Sequence, residues 1–370
     1  MRRLLVVFGT RPEVIKLAPV ILEAQRRASE FEVVTLATGQ HREMLGQALS
    51  SFGITPHANL GLMKPNQDLV GLTAEALAGT ASVIGNVKPD WVVVQGDTVT
   101  AFAAALAAFF SQVRVAHVEA GLRTRNLRSP YPEEANRQLI GRIASLHLAP
   151  TERARRNLIE EGVPASAVVI TGNTVVDAVR AMQERWKSAP ECPLPDSLAG
   201  IGEGIVLITC HRREHFGDGL RAICAALGRL AASHPELAFV FPVHLNPNVR
   251  GPVHAALGHV SNLRLVEPVD YQTSLRLLER SRLVLTDSGG IQEEAPSFGV
   301  PVVVMREYTE RAEGVEQGFA TLAGPDTDAI VRQAESFLAE RGVRERLLGR
   351  PNPYGDGHAA RRVLDALAAR

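Results

Sequence analysis

The stretch Asp287-Ser288-Gly289-Gly290-Ile291-Gln292-Glu293-Glu294-Ala295 follows the apolar run Leu283-Val284-Leu285-Thr286. A strand that passes through Ser-Gly-Gly into a helix points bare backbone N–H groups outward, and glycine has no Cβ to hold a ligand away. Phosphate oxygens suit such a turn. On this reading Ser288, Gly289 and Gly290 seat a pyrophosphate. Glu294, placed in the first turn of the following helix, accepts hydrogens from a ribose. Lysine occurs only at Lys16, Lys64, Lys88 and Lys187, because nearly all basic positions are arginine. Lys16, off the apolar stripe Val14, Leu17, Ala18, Ile21 and Leu22 and close to Arg11, therefore reads as chosen for reach.

The remaining chemistry collects after apolar runs. Gln40 and His41 follow residues 31–37, Asp97 follows 91–94, and Glu119 follows 113–117. Glu133 and Arg137 share a face at i,i+4 spacing on a helix that Pro132 can open. In the second half His211, Arg212 and His215 follow 205–209, His244 follows 238–242, and Arg311 follows 302–305. Ligands of a doubly wound parallel sheet bind beyond the carboxyl ends of its strands, so these groups border ligand crevices. The inventory is Arg11, Lys16, His211 and Arg311 around a phosphate seat, faced by Asp97, Glu119 and Glu133.

The elements that must hold these residues form two consecutive β-α arrays of similar size. Pro190, Pro193, Pro195, Gly200, Gly202 and Gly204 mark the linker or long crossover between them. A length of 370 residues exceeds what one core organises, and two domains follow. Lys+Arg and Asp+Glu are both 40, with no basic run to follow a nucleic-acid backbone. The N-terminal apolar run stops at Gly9, too short to export or span anything, so neither nucleic acid nor a membrane is expected as a partner. Cys192, Cys210 and Cys224 form no CxxC and no disulfide set, which fits a reducing cytoplasm. His211, His215, His244 and Glu214 lack the spacing of a metal site, and no metal is expected. No GxGxxG follows a strand and Ser288 has no GxSxG elbow, so neither a bound nicotinamide nor a serine nucleophile is expected.

Gly9-Thr10-Arg11-Pro12-Glu13, Gly39-Gln40-His41-Arg42, Gln95-Gly96-Asp97-Thr98 and His117-Val118-Glu119-Ala120-Gly121-Leu122-Arg123 stand in one register with later motifs. Those are Pro132-Glu133-Glu134 with Asn136-Arg137, His211-Arg212-Arg213-Glu214, Pro242-Val243-His244 with Asn246-Pro247, the 287–296 stretch, Thr309-Glu310-Arg311 and Asn352-Pro353-Tyr354-Gly355-Asp356-Gly357. Together they resemble the bacterial non-hydrolysing UDP-N-acetylglucosamine 2-epimerases, from the first strand to the last helix. The resemblance implies a GT-B fold: two Rossmann-like doubly wound domains facing across a cleft. It places the acid/base domain at 1–172, joined by the final helix 358–370, and the UDP-binding domain at 173–357. It implies a cofactor-free isomerase, working as a cytoplasmic homodimer, that interconverts UDP-N-acetylglucosamine and UDP-N-acetylmannosamine for cell-surface polysaccharide. UDP is eliminated to give 2-acetamidoglucal and then re-added. Asp97, Glu119, Glu133 and His211 are then catalytic, with individual acid/base roles open. Arg11, Lys16, Gln40, His41, Arg137, Arg212, His244, Ser288, Gly289, Gly290, Glu294 and Arg311 bind the substrate. Val269 and Ser274 stand where some relatives carry Gln and Phe, which alters the expected base contacts. Asn66 stands where some carry Arg in an activating substrate site, so activation by substrate is in question. The alternatives are an epimerase of UDP-2,3-diacetamido sugar acids, a hydrolysing 2-epimerase, a GT-B glycosyltransferase and a UDP-sugar-binding regulator.

Overall fold

Parallel strands need crossover helices, and the alternation of short apolar runs with helical stretches supplies them. The computed structural model describes residues 1–39, 42–63, 67–188 and 194–370, which leaves Gln40, His41, Asn66 and Cys192 outside the described residues. Two compact units emerge, residues 1–181 with 354–370, and residues 182–353.

The first unit holds a parallel sheet of β1 (Arg2–Phe8), β2 (Phe31–Ala37), β3 (Ala58–Asn59), β4 (Trp91–Gln95), β5 (Arg114–Val118), β6 (Leu146–Ala149) and β7 (Val168–Ile170). Their order is β3-β2-β1-β4-β5-β6-β7. The second unit holds β8 (Ile205–Thr209), β9 (Phe239–Pro242), β10 (Leu263–Val266), β11 (Ser281–Thr286), β12 (Val302–Val304) and β13 (Ala320–Leu322). These are also parallel, in the order β10-β9-β8-β11-β12-β13. Both are Rossmann-like doubly wound sheets whose strand order reverses once, between β1 and β4 in the first and between β8 and β11 in the second. The chain leaving β1 and β4 is Gly9-Thr10 and Gly96-Asp97; the chain leaving β8 and β11 is Cys210-His211 and Asp287-Ser288. Each switch point is thus flanked by residues singled out for their chemistry.

Leu5, Val7, Val92, Val94 and Val115 form the core of the first sheet with the small helix Val99–Phe110, and Val206, Ile208, Phe239, Phe241 and Leu285 form that of the second. The helix Arg11–Arg26 departs from its expected single stripe, because Glu13 to Ile21 are all buried. Strands β1 and β2 lie on one side of it and the final helix Ala359–Ala368 packs on another. That final helix receives its cap from Asp177, whose carboxylate accepts from the N–H groups of Ala359 (3.1 Å) and Ala360 (2.8 Å). Among the described residues no helix is long and apolar enough to cross a membrane.

Candidate active site

Glu119 is the first residue past β5, and its backbone is left-handed, with φ 63°. A non-glycine residue held there is strained by its own Cβ, and such strain concentrates at functional positions. Its buried carboxylate pairs with the buried ammonium of Lys16 and accepts from Asn173 Nδ2 at 3.0 Å. Lys16 lies off the stripe as expected, yet it is sealed inside the unit by this partner. A Cβ added to Gly96, itself at φ +71°, would stand 4.0 Å from Glu119 Oε1, so the two strand-end turns carrying Glu119 and Asp97 adjoin.

Asp97 is held from several directions. Arg137 reaches its Oδ2 at 2.5 Å, and Asn136 Nδ2 donates to its carbonyl at 2.8 Å. Both come from the helix Glu133–Ile143, which carries Arg137 to Asp97 and, at 3.2 Å, to buried Glu134. Glu133 opens this helix, half-buried, with its Oε2 atom out of solvent. Behind Asp97, His117 Nε2 lies 2.7 Å from the Gly96 carbonyl and donates to it. Burial pushes the His117 imidazole down to about 3, so the ring is neutral and that contact is a fixed N–H donor.

Glu13 joins the β1 and β4 turns. Thr10 caps the helix Arg11–Arg26, and the Glu13 carboxylate accepts from Gly9 N (3.0 Å), Thr10 N (2.8 Å) and Thr10 Oγ1 (2.8 Å) on one oxygen. Its other oxygen accepts from Thr98 Oγ1 at 2.7 Å, one residue past Asp97. Burial raises this carboxyl to about 7 against the opposing pull of these donors. Arg11 stands on the same turn, partly exposed.

In the second unit Asp287 is fully buried at the end of β11. Its Oδ2 accepts from the backbone N–H groups of His211 and Arg212, each at 2.8 Å. His211 Nδ1 lies 3.0 Å from its Oδ1, and His215 Nδ1 3.3 Å from its Oδ2. Burial alone would raise Asp287, but the charge and hydrogen bonds of His211, with those of His215 and the Arg212 N–H, hold it well below the usual carboxylate range. The His211 ring stacks on His244, centroids 5.9 Å apart. Cys210, His215 and Asp287 have potential metal-ligand atoms within 4.8 Å of one another, a grouping unlike the His211, His215, His244 and Glu214 set weighed from the sequence. Burial, with Asp287 beside it, pushes the Cys210 thiol well up, and the Asp287 Oδ2 oxygen is already engaged by two backbone N–H donors.

The Ser-Gly-Gly turn separates into two roles. A Cβ on Gly289 would meet the Arg311 guanidinium carbon at 2.5 Å, whereas one on Gly290 would meet only Ser288 Oγ, at 3.9 Å. Gly289 therefore admits Arg311, and Gly290 borders open space. Arg311 belongs to a chain of alternating charge, buried up to its exposed last member: Glu293 at 3.0 Å, Glu310 at 3.1 Å, then Arg306 at 3.2 Å and exposed Glu214 at 2.8 Å. Glu294 is the last residue of the helix Gly289–Glu294 rather than in its first turn as expected, because the helix already begins at Gly289; it then tightens to 3₁₀ over Ala295–Phe298. The helix dipole therefore does not account for its buried carboxylate.

A family model described as UDP-N-acetylglucosamine 2-epimerase matches residues 23–368. The chain belongs to this family. It is 52% identical, over 100% of its own length and 99% of the other's, to a probable UDP-N-acetylglucosamine 2-epimerase of Ralstonia nicotianae. With the Escherichia coli UDP-N-acetylglucosamine 2-epimerase it shares 46% identity over 99% of this chain and 98% of that one. The structure of the Neisseria meningitidis UDP-GlcNAc 2-epimerase bound to UDP-GlcNAc superposes with a TM-score of 0.95 at 43% identity, covering 100% of both chains. The fold is accordingly of the GT-B type, as the resemblance implied.

Within this epimerase fold, the sequence reading passed over Asn173, Glu13, Glu134 and Asp287 as functional side chains. Asn173 and Asp287 carried the same strand-end signal as Asp97 and Glu119. Thr10-Arg11-Pro12-Glu13 carried the T-x-x-E pattern of a capping box. Nothing local marked Glu134, which accepts from Thr124 N and Arg125 N in a loop folded back onto it.

Proposed function

We propose that the chain epimerises UDP-N-acetylglucosamine at C2 to UDP-N-acetylmannosamine, reversibly, using the acids and cations that elimination and re-addition of UDP require. The observation that carries this reading is the pair of cation-matched carboxylates at adjoining strand ends, buried Glu119 with Lys16 and half-buried Asp97 with Arg137. The C2 proton is not acidic enough for simple deprotonation, so the C1–O bond breaks with its electron pair leaving on the UDP oxygen. The C2 proton passes to one of Asp97, Glu119 and Glu133, a C1=C2 bond forms, and 2-acetamidoglucal results. Return of a proton to the opposite face of C2, with UDP rejoining C1 on the face it left, completes the inversion at C2.

In this reading the UDP-binding domain, 173–357, seats the pyrophosphate on Ser288, Gly289 and Gly290, with Arg311 behind the turn and Glu294 on the ribose. His211 donates to the departing phosphate. The domain formed by 1–172 and 358–370 supplies the acids, with Arg11, Lys16 and Arg137. Gln40, His41, Arg212 and His244 complete the substrate contacts. The protein acts in the cytoplasm as a homodimer and feeds cell-surface polysaccharide synthesis. Exposed Phe109 and Phe110, whose rings adjoin at 6.2 Å, support an apolar contact between copies.

Incubation with UDP-N-acetylglucosamine alone, followed by NMR, tests the reading. The expected product is UDP-N-acetylmannosamine. Free N-acetylmannosamine would indicate the hydrolysing reaction, and unchanged substrate would reject the epimerase. Glu119→Gln is expected to slow turnover by about 10²-fold or more, the scale of a lost general acid/base, with calorimetric UDP affinity retained. Normal turnover in that variant would remove Glu119 from the chemistry.

A further inference from the structure

The chain between β8 and its following helix winds around one buried carboxylate. Asp287 is placed by its own backbone, whose N–H donates to the Thr209 carbonyl at 3.2 Å across the β8–β11 rung. Its Oδ2 then fixes the main chain of His211 and Arg212, and its Oδ1 stands 3.0 Å from His211 Nδ1. A ring-nitrogen lone pair at that distance would repel a carboxylate oxygen, so Nδ1 carries a hydrogen. The stacked ring of His244 has the opposite arrangement. Asn246 N–H donates to its Nδ1 at 3.1 Å, which puts the His244 hydrogen on Nε2 when that ring is neutral.

We propose that Asp287 is a positioning residue, which fixes the His211 ring through Nδ1–H so that Nε2, which carries a hydrogen when the ring is the imidazolium, is the atom presented to the departing phosphate. This rests on the role given to His211 above. One carboxylate sets both the main chain that carries the histidine and the orientation of its ring. The reacting groups are not touched by Asp287; it acts through His211. His215, from the 3₁₀ turn Arg213–His215, occupies the remaining side of the carboxylate and keeps it from turning away.

Two measurements test this. In the resting wild-type protein, nitrogen NMR of labelled histidine should show a hydrogen on His211 Nδ1, either with Nε2 also protonated or alone, as the tautomer less common in solution. An Nε2–H tautomer would overturn the proposal without any variant being made. Asp287→Asn keeps the side-chain shape; where it folds, checked by circular dichroism, His211 should lose its fixed tautomer. Its kcat for UDP-N-acetylglucosamine should fall by about 10²-fold or more, with KM changed only a few-fold. An unchanged tautomer, or unchanged kcat, in the folded variant would contradict the role. Wild-type protein that leaves UDP-N-acetylglucosamine unaltered would fail the functional reading instead, while the tautomer measurement still decides what Asp287 does to His211.

Discussion

Glu119 carries two costs that a structural residue avoids, a left-handed backbone and a charge withdrawn from water. The first amounts to about 1 to 3 kcal/mol, and the second is tolerable only because Lys16 and Asn173 meet the carboxylate. Residue type and position made Lys16 and Glu119 legible in the sequence, but their pairing was not, since 103 positions separate them. The division of labour in Ser288-Gly289-Gly290 was also hidden, because it depends on where Arg311 lies. Gly289→Ala should therefore lower the midpoint of urea unfolding, by displacing a buried guanidinium. Gly290→Val should leave that midpoint nearly unchanged while calorimetry shows a strong loss of UDP affinity. Normal UDP affinity in the folded valine variant would remove the phosphate-seat assignment.

At the scale of elements, both sheets place their chemistry where strand order reverses, and the apolar runs that form these strands were readable almost residue by residue. β2 and β8 begin and end as the sequence suggests. The edge strands β3 and β13 were not visible, since two or three residues cannot show a period. The burial of the helix Arg11–Arg26 on several sides was also missed, because a stripe reports one face and not what the final helix covers. Glu13 ties the first turn of that helix to Thr98 and has its pKa raised to about 7 by burial. A carboxyl whose folded value exceeds its unfolded value contributes stability that is present at low pH and is lost as pH rises through the folded value. Glu13→Gln cannot ionise. Between about pH 5 and pH 8 the stability of wild type relative to this variant should fall by on the order of 3 kcal/mol, measured by urea unfolding at each pH. A difference that stays constant, or grows with pH, would show that Glu13 is ionised throughout.

At the scale of the whole molecule, a zero formal charge and two β-α arrays point to a small-molecule enzyme rather than a nucleic-acid binder. The fold class was legible because each array repeats the same alternation. Side-chain partners across an array were not, since sequence order does not reveal which strand ends become neighbours at a switch point. The reading as a whole turns on the C2–H bond. Elimination with a protein acid/base must exchange that hydrogen with solvent, whereas direct inversion or a shielded internal hydride return retains it. The most direct test is the reaction of UDP-N-acetylglucosamine in heavy water with no nicotinamide added, with C2 of the isolated product examined by proton NMR. UDP-N-acetylmannosamine carrying deuterium at C2 is the predicted result, and product that retains protium there would contradict the mechanism.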